Sequence, residues 1–173
     1  MQNVHLVQGD MADNDSLVAA AAKTAKLTAG SVDYLIINGV YTNQSETLLS
    51  PSEFSGKEQL LTESMTQSLK VNVLGSIFSI NAFLPLVRKS KIKKIIVITT
   101  GLADRDMVAQ STMSFSVTYS SMKAALNMVV AKYAVELKNE GIILLALSPG
   151  LVDTRAERPA SQRESAWMIM GIY

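Results

Sequence analysis

Cysteine is absent from this 173-residue chain. Its absence excludes disulfides, thiolate nucleophiles and cysteine-ligated zinc, and it fits a cytoplasmic setting. Histidine occurs once, as His5, so histidine-based triads and metal centres lack material and no metal site is expected. His5 lies in the first apolar run and reads as a structural residue. An excess of charge is missing too. Sixteen Lys and Arg face 15 Asp and Glu, a formal net charge of +1, so bulk attraction to nucleic acid or a membrane surface has no support. The one basic cluster, Arg88 to Lys94, stands between a helical and a strand-like pattern and reads as a solvated connection. No charged and apolar leader opens the chain, and no uninterrupted apolar run reaches the roughly 20 residues of a membrane span.

What is present is a regular alternation of strand-like and helix-like segments. Val4–Gln8 reads as a short apolar strand closed by Gly9-Asp10. Asn14 or Asp15 is placed to cap a helix over Ser16–Leu27, where the run Val18–Ala22 is alanine-rich. Val32–Ile37 reads as a buried strand ending at Asn38-Gly39. Thr42–Lys57 is a polar loop with a helical turn after Pro51. Gln59–Val87 carries apolar residues at helical spacing, and Pro85 is expected to kink or end that helix. Lys94–Thr100 is a continuous, mainly β-branched run suited to a strand buried on both faces. Gly101–Phe115 reads as a loop, Thr118–Asn139 as a helix stopped by Gly141, and Ile142–Ser148 as a fourth strand. There is no internal repeat, low-complexity tract or linker, so residues 1–173 are read as a single domain.

Strand and helix in this rhythm predict an α/β fold, a parallel sheet covered by helices on both faces. In such sheets ligands bind outside the carboxyl ends of the strands. Asp10, Asn38-Gly39, Thr99-Thr100-Gly101 and Pro149-Gly150 all fall at those ends and together make one rim. Beside it stands Tyr119-Ser-Ser-Met-Lys123. Four residues apart on one helix face, a lysine ammonium can lower a phenol's pKa and make it a usable proton donor or acceptor.

With that rim in place, the chain resembles a short-chain dehydrogenase/reductase, and in particular the small fungal-type members of that family. The resemblance implies a catalytic tetrad of Asn72, Thr100, Tyr119 and Lys123, with Thr100 standing where the family has serine. It implies that Tyr119 supplies the proton and Thr100 holds the carbonyl oxygen. Lys123 would lower the phenol pKa and grip the ribose, while Asn72 would hold a water that passes protons to Lys123. Asp10 and Met11 match the pair that meets the adenine ring. Asn38-Gly39 and Val71 match positions lining the cofactor, and Pro149-Gly150 with Val152 and Thr154 match the segment around the nicotinamide. The implied cofactor is NAD or NADP, and the implied substrate a small-molecule ketone or secondary alcohol. Full-length members of the family are implied to form homodimers or homotetramers.

The family's glycine-rich fingerprint, which meets the cofactor pyrophosphate through backbone N–H groups, has no match in the chain. The expected fold is therefore an incomplete Rossmann-like, doubly wound parallel sheet of about four strands. It would lack the family's first βαβα unit and its last strand, as in a chain truncated at both ends. The two missing strands belong between Val4–Gln8 and Val32–Ile37, so the first strand is predicted to be displaced or poorly supported. Weak or no cofactor binding by the isolated chain follows. The rival expectation is a non-catalytic remnant that keeps the helices Gln59–Val87 and Thr118–Asn139 as an interaction or oligomerisation surface.

Overall fold

The computed structural model describes residues 4–150. Three strands, β1 (Tyr34–Ile37), β2 (Lys94–Ile98) and β3 (Ile143–Leu147), pair in parallel in the order β1-β2-β3. Ile36, Ile96 and Leu145 lie abreast across them. The helices are α1 (Asn14–Leu27), α2 (Glu58–Ser68), α3 (Gly75–Lys89), α4 (Arg105–Ala109) and α5 (Val117–Glu136). A π turn, Leu69–Leu74, joins α2 to α3.

The core lies between the sheet and helices α3 and α5. Ile80, Leu84 and Val87 recur at helical spacing on α3, and Leu126 and Val130 on α5. They close over Ile37, Ile95 and Val97 from the sheet. At about 25 cal/mol per Å² of apolar surface, each such side chain contributes on the order of 2 kcal/mol. This burial explains why Pro85 does not end the helix, which continues to Lys89. Pro85 is exposed, and its neighbours Leu84, Leu86 and Val87 are buried. Their packing outweighs the roughly 3 kcal/mol that an interior proline costs.

Other boundaries move for equally local reasons. Asp13, not Asn14 or Asp15, caps α1, accepting from the Asp15 and Ser16 amides. The expected loop 101–115 contains a 3-10 turn (Gly101–Ala103) and α4, each opened by a side-chain cap, Thr100 and Asp104. The turn after Pro51 forms over Pro51–Phe54. Helix α5 ends at Glu136, before Asn139, and Gly141 turns the chain at φ 71°, a conformation glycine adopts at little cost. Arg88 makes a two-point ion pair with Glu140, at 2.6 and 2.7 Å, so one charge of the basic cluster ties α3 to the approach of β3.

The expected first strand does not form, in keeping with the poor support predicted for it. Val4–Gln8 forms no strand, and Val4 and Leu6 are 62% and 97% exposed. A strand needs a neighbour to pair with, and this segment pairs with none of the three described strands. His5 is correspondingly exposed rather than packed in a core. Coverage of the sheet is one-sided among the described residues. The described helices leave one sheet face open, and Tyr34, Ile36, Ile143, Leu145 and Leu147 are exposed on it. Strand β2 is accordingly fully buried on one face and only half-buried on the other.

The joined helix Glu58–Lys89 is long and apolar enough to cross a membrane by length and composition, although polar residues interrupt its apolar runs. Half of its most apolar stretch is buried inside the fold, so its apolarity serves the core.

Candidate active site

Strand β2 is central and its carboxyl end delivers two hydroxyls in opposite directions, as alternation along extended backbone requires. Thr99 is buried and donates to Asn127 Oδ1 of α5 at 2.7 Å. Thr100 is half-buried, and its Oγ1 accepts the Leu102 amide at 3.2 Å. The Thr100 hydroxyl also acts on the phenol of Tyr119.

Tyr119 and Lys123 sit one turn apart near the start of α5, with the Lys123 Nζ 6.0 Å from the centre of the Tyr119 ring. The ammonium donates to the Ile98 carbonyl at 2.7 Å, which anchors α5 to the end of β2. Burial holds Lys123 below its ordinary pKa. Burial also pushes the Tyr119 phenol above its ordinary value, and the Thr100 hydroxyl pulls the other way. The expected lowering of the phenol by Lys123 is thus not seen. The lysine is committed to a backbone carbonyl, and desolvation is the largest influence on the tyrosine.

Asn72 lies in the π turn and is fully buried. Its Oδ1 accepts the Tyr41 amide at 2.7 Å, and its Nδ2 donates to the Tyr41 carbonyl at 2.9 Å. The side chain therefore clamps the segment after β1 by both of that residue's backbone groups. One lone pair of Oδ1 and one N–H of Nδ2 are thereby engaged, and the amide keeps a further acceptor and donor site. Replacing Asn72 with alanine strands two backbone groups at a buried position. We expect a loss of about 2–4 kcal/mol, read by urea unfolding. A loss below about 1 kcal/mol would make the clamp a spectator.

Met11 is wedged between Gly39 and Gly75. A Cβ on Gly75 would come within 2.5 Å of the Met11 carbonyl oxygen, and one on Gly39 would meet the Met11 sulfur. Two glycines therefore let the turn before α1 approach both β1 and α3. Asp10 is exposed, and its Oδ1 accepts the Ala12 amide at 2.8 Å. Asn38, Gly39, Pro149 and Gly150 are exposed at the ends of β1 and β3, and Val71 is half-buried in the π turn. Val152 and Thr154 lie outside the described residues. The structure thus gathers Thr100, Tyr119 and Lys123 at one strand end and sets Asn72 on the neighbouring segment. Helix α5 packs against the π turn that carries it.

This arrangement can be set beside known proteins. The family model described as short chain dehydrogenase matches residues 1–165. The chain belongs to the short-chain dehydrogenase family. It is 43% identical over 157 residues to the short-chain dehydrogenase/reductase atnB of an Arthrinium species, a match covering 91% of this chain and 59% of that protein. It is 40% identical to the short-chain dehydrogenase/reductase iacC of Pestalotiopsis fici, covering 87% of this chain and 56% of the relative. The chain thus spans less than three-fifths of either relative's length. Among solved structures it is similar to an NADPH-bound carbonyl reductase from chicken fatty liver. That match has TM-score 0.71 and 24% identity and covers 86% of this chain and 58% of that one. It is also similar to ElxO with NADP bound, with TM-score 0.73 and 23% identity, covering 96% of this chain and 60% of that one. These two similarities establish the Rossmann-type short-chain dehydrogenase fold.

The donor set fits one end of a nicotinamide cofactor. A phenol, a hydroxyl and an ammonium converge where a ribose and a carbonyl could be held. The phosphate end is different. No glycine-rich turn of the kind that meets a pyrophosphate occurs in the 173 residues.

Reasoning from the sequence missed Glu46, Thr118 and Asn127. Glu46 sits in a polar loop with no motif around it, and only its burial marks it.

Proposed function

We propose that the protein is part of an NAD(P)-dependent oxidoreductase that interconverts a small-molecule ketone and a secondary alcohol. The observation that carries this reading is the convergence of Thr100, Tyr119 and Lys123 at the end of β2 in a member of this family. The bound nicotinamide supplies hydride to the carbonyl carbon or takes it back. Reduction builds negative charge on the carbonyl oxygen, which then needs a donor and a proton. Thr100 would donate a hydrogen bond to that oxygen, and Tyr119 would give it the proton. A phenol held above its ordinary pKa stays protonated at neutral pH, which suits the reducing direction. Lys123 would hold the ribose hydroxyls and keep the phenol aligned, and Asp10 and Met11 would border the adenine. Choice between NAD and NADP rests on residues that the family carries in its glycine-rich half.

The test is ketone-dependent NADPH or NADH oxidation by this chain and by a version extended upstream in the same reading frame. We expect turnover in the extended protein and weak cofactor affinity in the 173-residue chain. Absence of turnover with a broad ketone panel would overturn the catalytic reading. Nanomolar cofactor binding by the shorter chain would overturn the claim that its phosphate end is unsupported. A second reading, an interaction protein, is favoured by one observation. Helices α3 and α5 share an outer groove lined by Ile77, Asn81, Met128, Val129, Lys132 and Tyr133, with Met128 61% exposed. Self-association without turnover would support it. The same groove would serve the homodimer or homotetramer that we propose for the whole enzyme, in a cytoplasmic setting.

A further inference from the structure

Helix α5, which carries Tyr119 and Lys123, begins without a side-chain cap, and its first flanking residue, Ser116, is left-handed at φ 57° and ψ 40°. A residue with a Cβ does not hold that conformation unaided. Ser116 is held by the loop after β1, because both its amide and its hydroxyl donate to the Thr47 carbonyl, at 2.9 and 3.1 Å. That loop is itself braced. Thr47 donates to the Asn43 carbonyl, and Asn43 donates to the buried Ser64 hydroxyl, each at 2.8 Å. The start of the catalytic helix is therefore set by residues 43–49.

Glu46 is the acid inside this brace. It is 3% exposed, and its Oε2 is buried with no hydrogen-bond partner. The Thr118 hydroxyl, one residue before Tyr119, is also buried and unpartnered. The hydroxyl acts on the carboxyl without closing a hydrogen bond to it. Two buried polar atoms in this state gain by pairing with each other.

We propose that Glu46 is a positioning residue for Tyr119, forming with Thr118 a clasp that fixes the first turn of α5 against the loop after β1. Burial raises the Glu46 carboxyl above its ordinary range, with Thr118 opposing, as expected of an acid held in place mainly by its surroundings. Glutamine has the same length and keeps an accepting oxygen, so it preserves the clasp. Aspartate is a methylene shorter and alanine lacks the group, so both release it. Release admits water to the turn that carries the phenol and lowers its pKa toward the ordinary value.

This inference rests on the reading of Tyr119 as the proton-handling group, but its test does not need turnover. The full chain is labelled with 13Cζ-tyrosine, Tyr119 is assigned by Tyr119→Phe, and the phenol resonances are followed with pH. Tyr133, on the same helix and bonded to Asn81 at 2.8 Å, is the internal control. We expect Glu46→Ala and Glu46→Asp to lower the Tyr119 midpoint by about half a pH unit and to leave Tyr133 in place. Glu46→Gln should retain the wild-type midpoint. Thr118→Val, which keeps the side chain's shape, should move Tyr119 as Glu46→Ala does and serves if the alanine variant fails to fold. An unmoved Tyr119 resonance in Thr118→Val and Glu46→Asp would overturn the proposal, as would equal movement of Tyr119 and Tyr133. In the extended protein, release should lower kcat more than it raises KM. Failure of the oxidoreductase reading would look different, with no turnover in wild type while the Tyr119 resonance still responds to Glu46.

Discussion

Tyr119→Phe is expected to reduce ketone-dependent NAD(P)H oxidation by about 10²–10⁴-fold, the range that a positioned acid or base contributes. The substitution removes one oxygen and keeps the ring. That oxygen is half-buried beside Thr100 and is not the anchor of the helix, since Lys123 holds the helix to Ile98. Stability should therefore change by no more than about 1 kcal/mol, and cofactor affinity should be kept. The raised phenol adds a second expectation. Wild-type reduction should not lose most of its proton donor between pH 7 and 9, because burial holds the Tyr119 phenol above its ordinary pKa. Initial rates across that window, compared with the phenylalanine variant at each pH, check both. Activities of the two proteins that coincide would remove Tyr119 from the chemistry.

How far such a site could be read in advance differs residue by residue. The Tyr119 and Lys123 pair was visible because helical spacing is a local property, and the structure keeps both on one face of α5. The β-branched run at Lys94–Ile98 is likewise local, and its strand is the central one. Val4–Gln8 has the same local character and forms no strand, since pairing depends on a partner that lies elsewhere in a chain or in another one. The π turn at Leu69–Leu74 has no compositional signal, yet it carries Asn72 to Tyr41. Resemblance named Asn72 but not its clamp on Tyr41, because a motif gives a residue's address and not its hydrogen bonds. The rhythm of strand and helix, with the β-branched run at Lys94–Thr100, predicted a sheet covered on both sides. The described residues cover one, and the apolar side chains of Ile36, Ile143 and Leu145 on the other remain the mark of what that face is built to meet.

Lys123→Met separates function from stability most sharply. The folded pKa of Lys123 lies below its ordinary value of 10.5 because burial disfavours the ammonium. In the window between the folded value and 10.5 the unfolded chain binds more protons, so the wild-type protein gains stability as pH rises through it. Below that window the ammonium is charged in both states, and its burial is an uncompensated cost apart from the bond to Ile98. Methionine fills similar volume without the charge and leaves the Ile98 carbonyl without this donor. These effects oppose each other, so we expect stability at pH 7 to stay within about 1 kcal/mol of wild type. The rise toward pH 10 should vanish in the variant. Activity should nevertheless fall by about 10²-fold or more if, as proposed, the ammonium grips the ribose and aligns Tyr119. Urea unfolding at several pH values, run beside the ketone assay, measures the two quantities independently. A variant that unfolds readily at pH 7 would show that Lys123 is a structural anchor first. A variant that keeps its activity would show that the proton machinery does not include it.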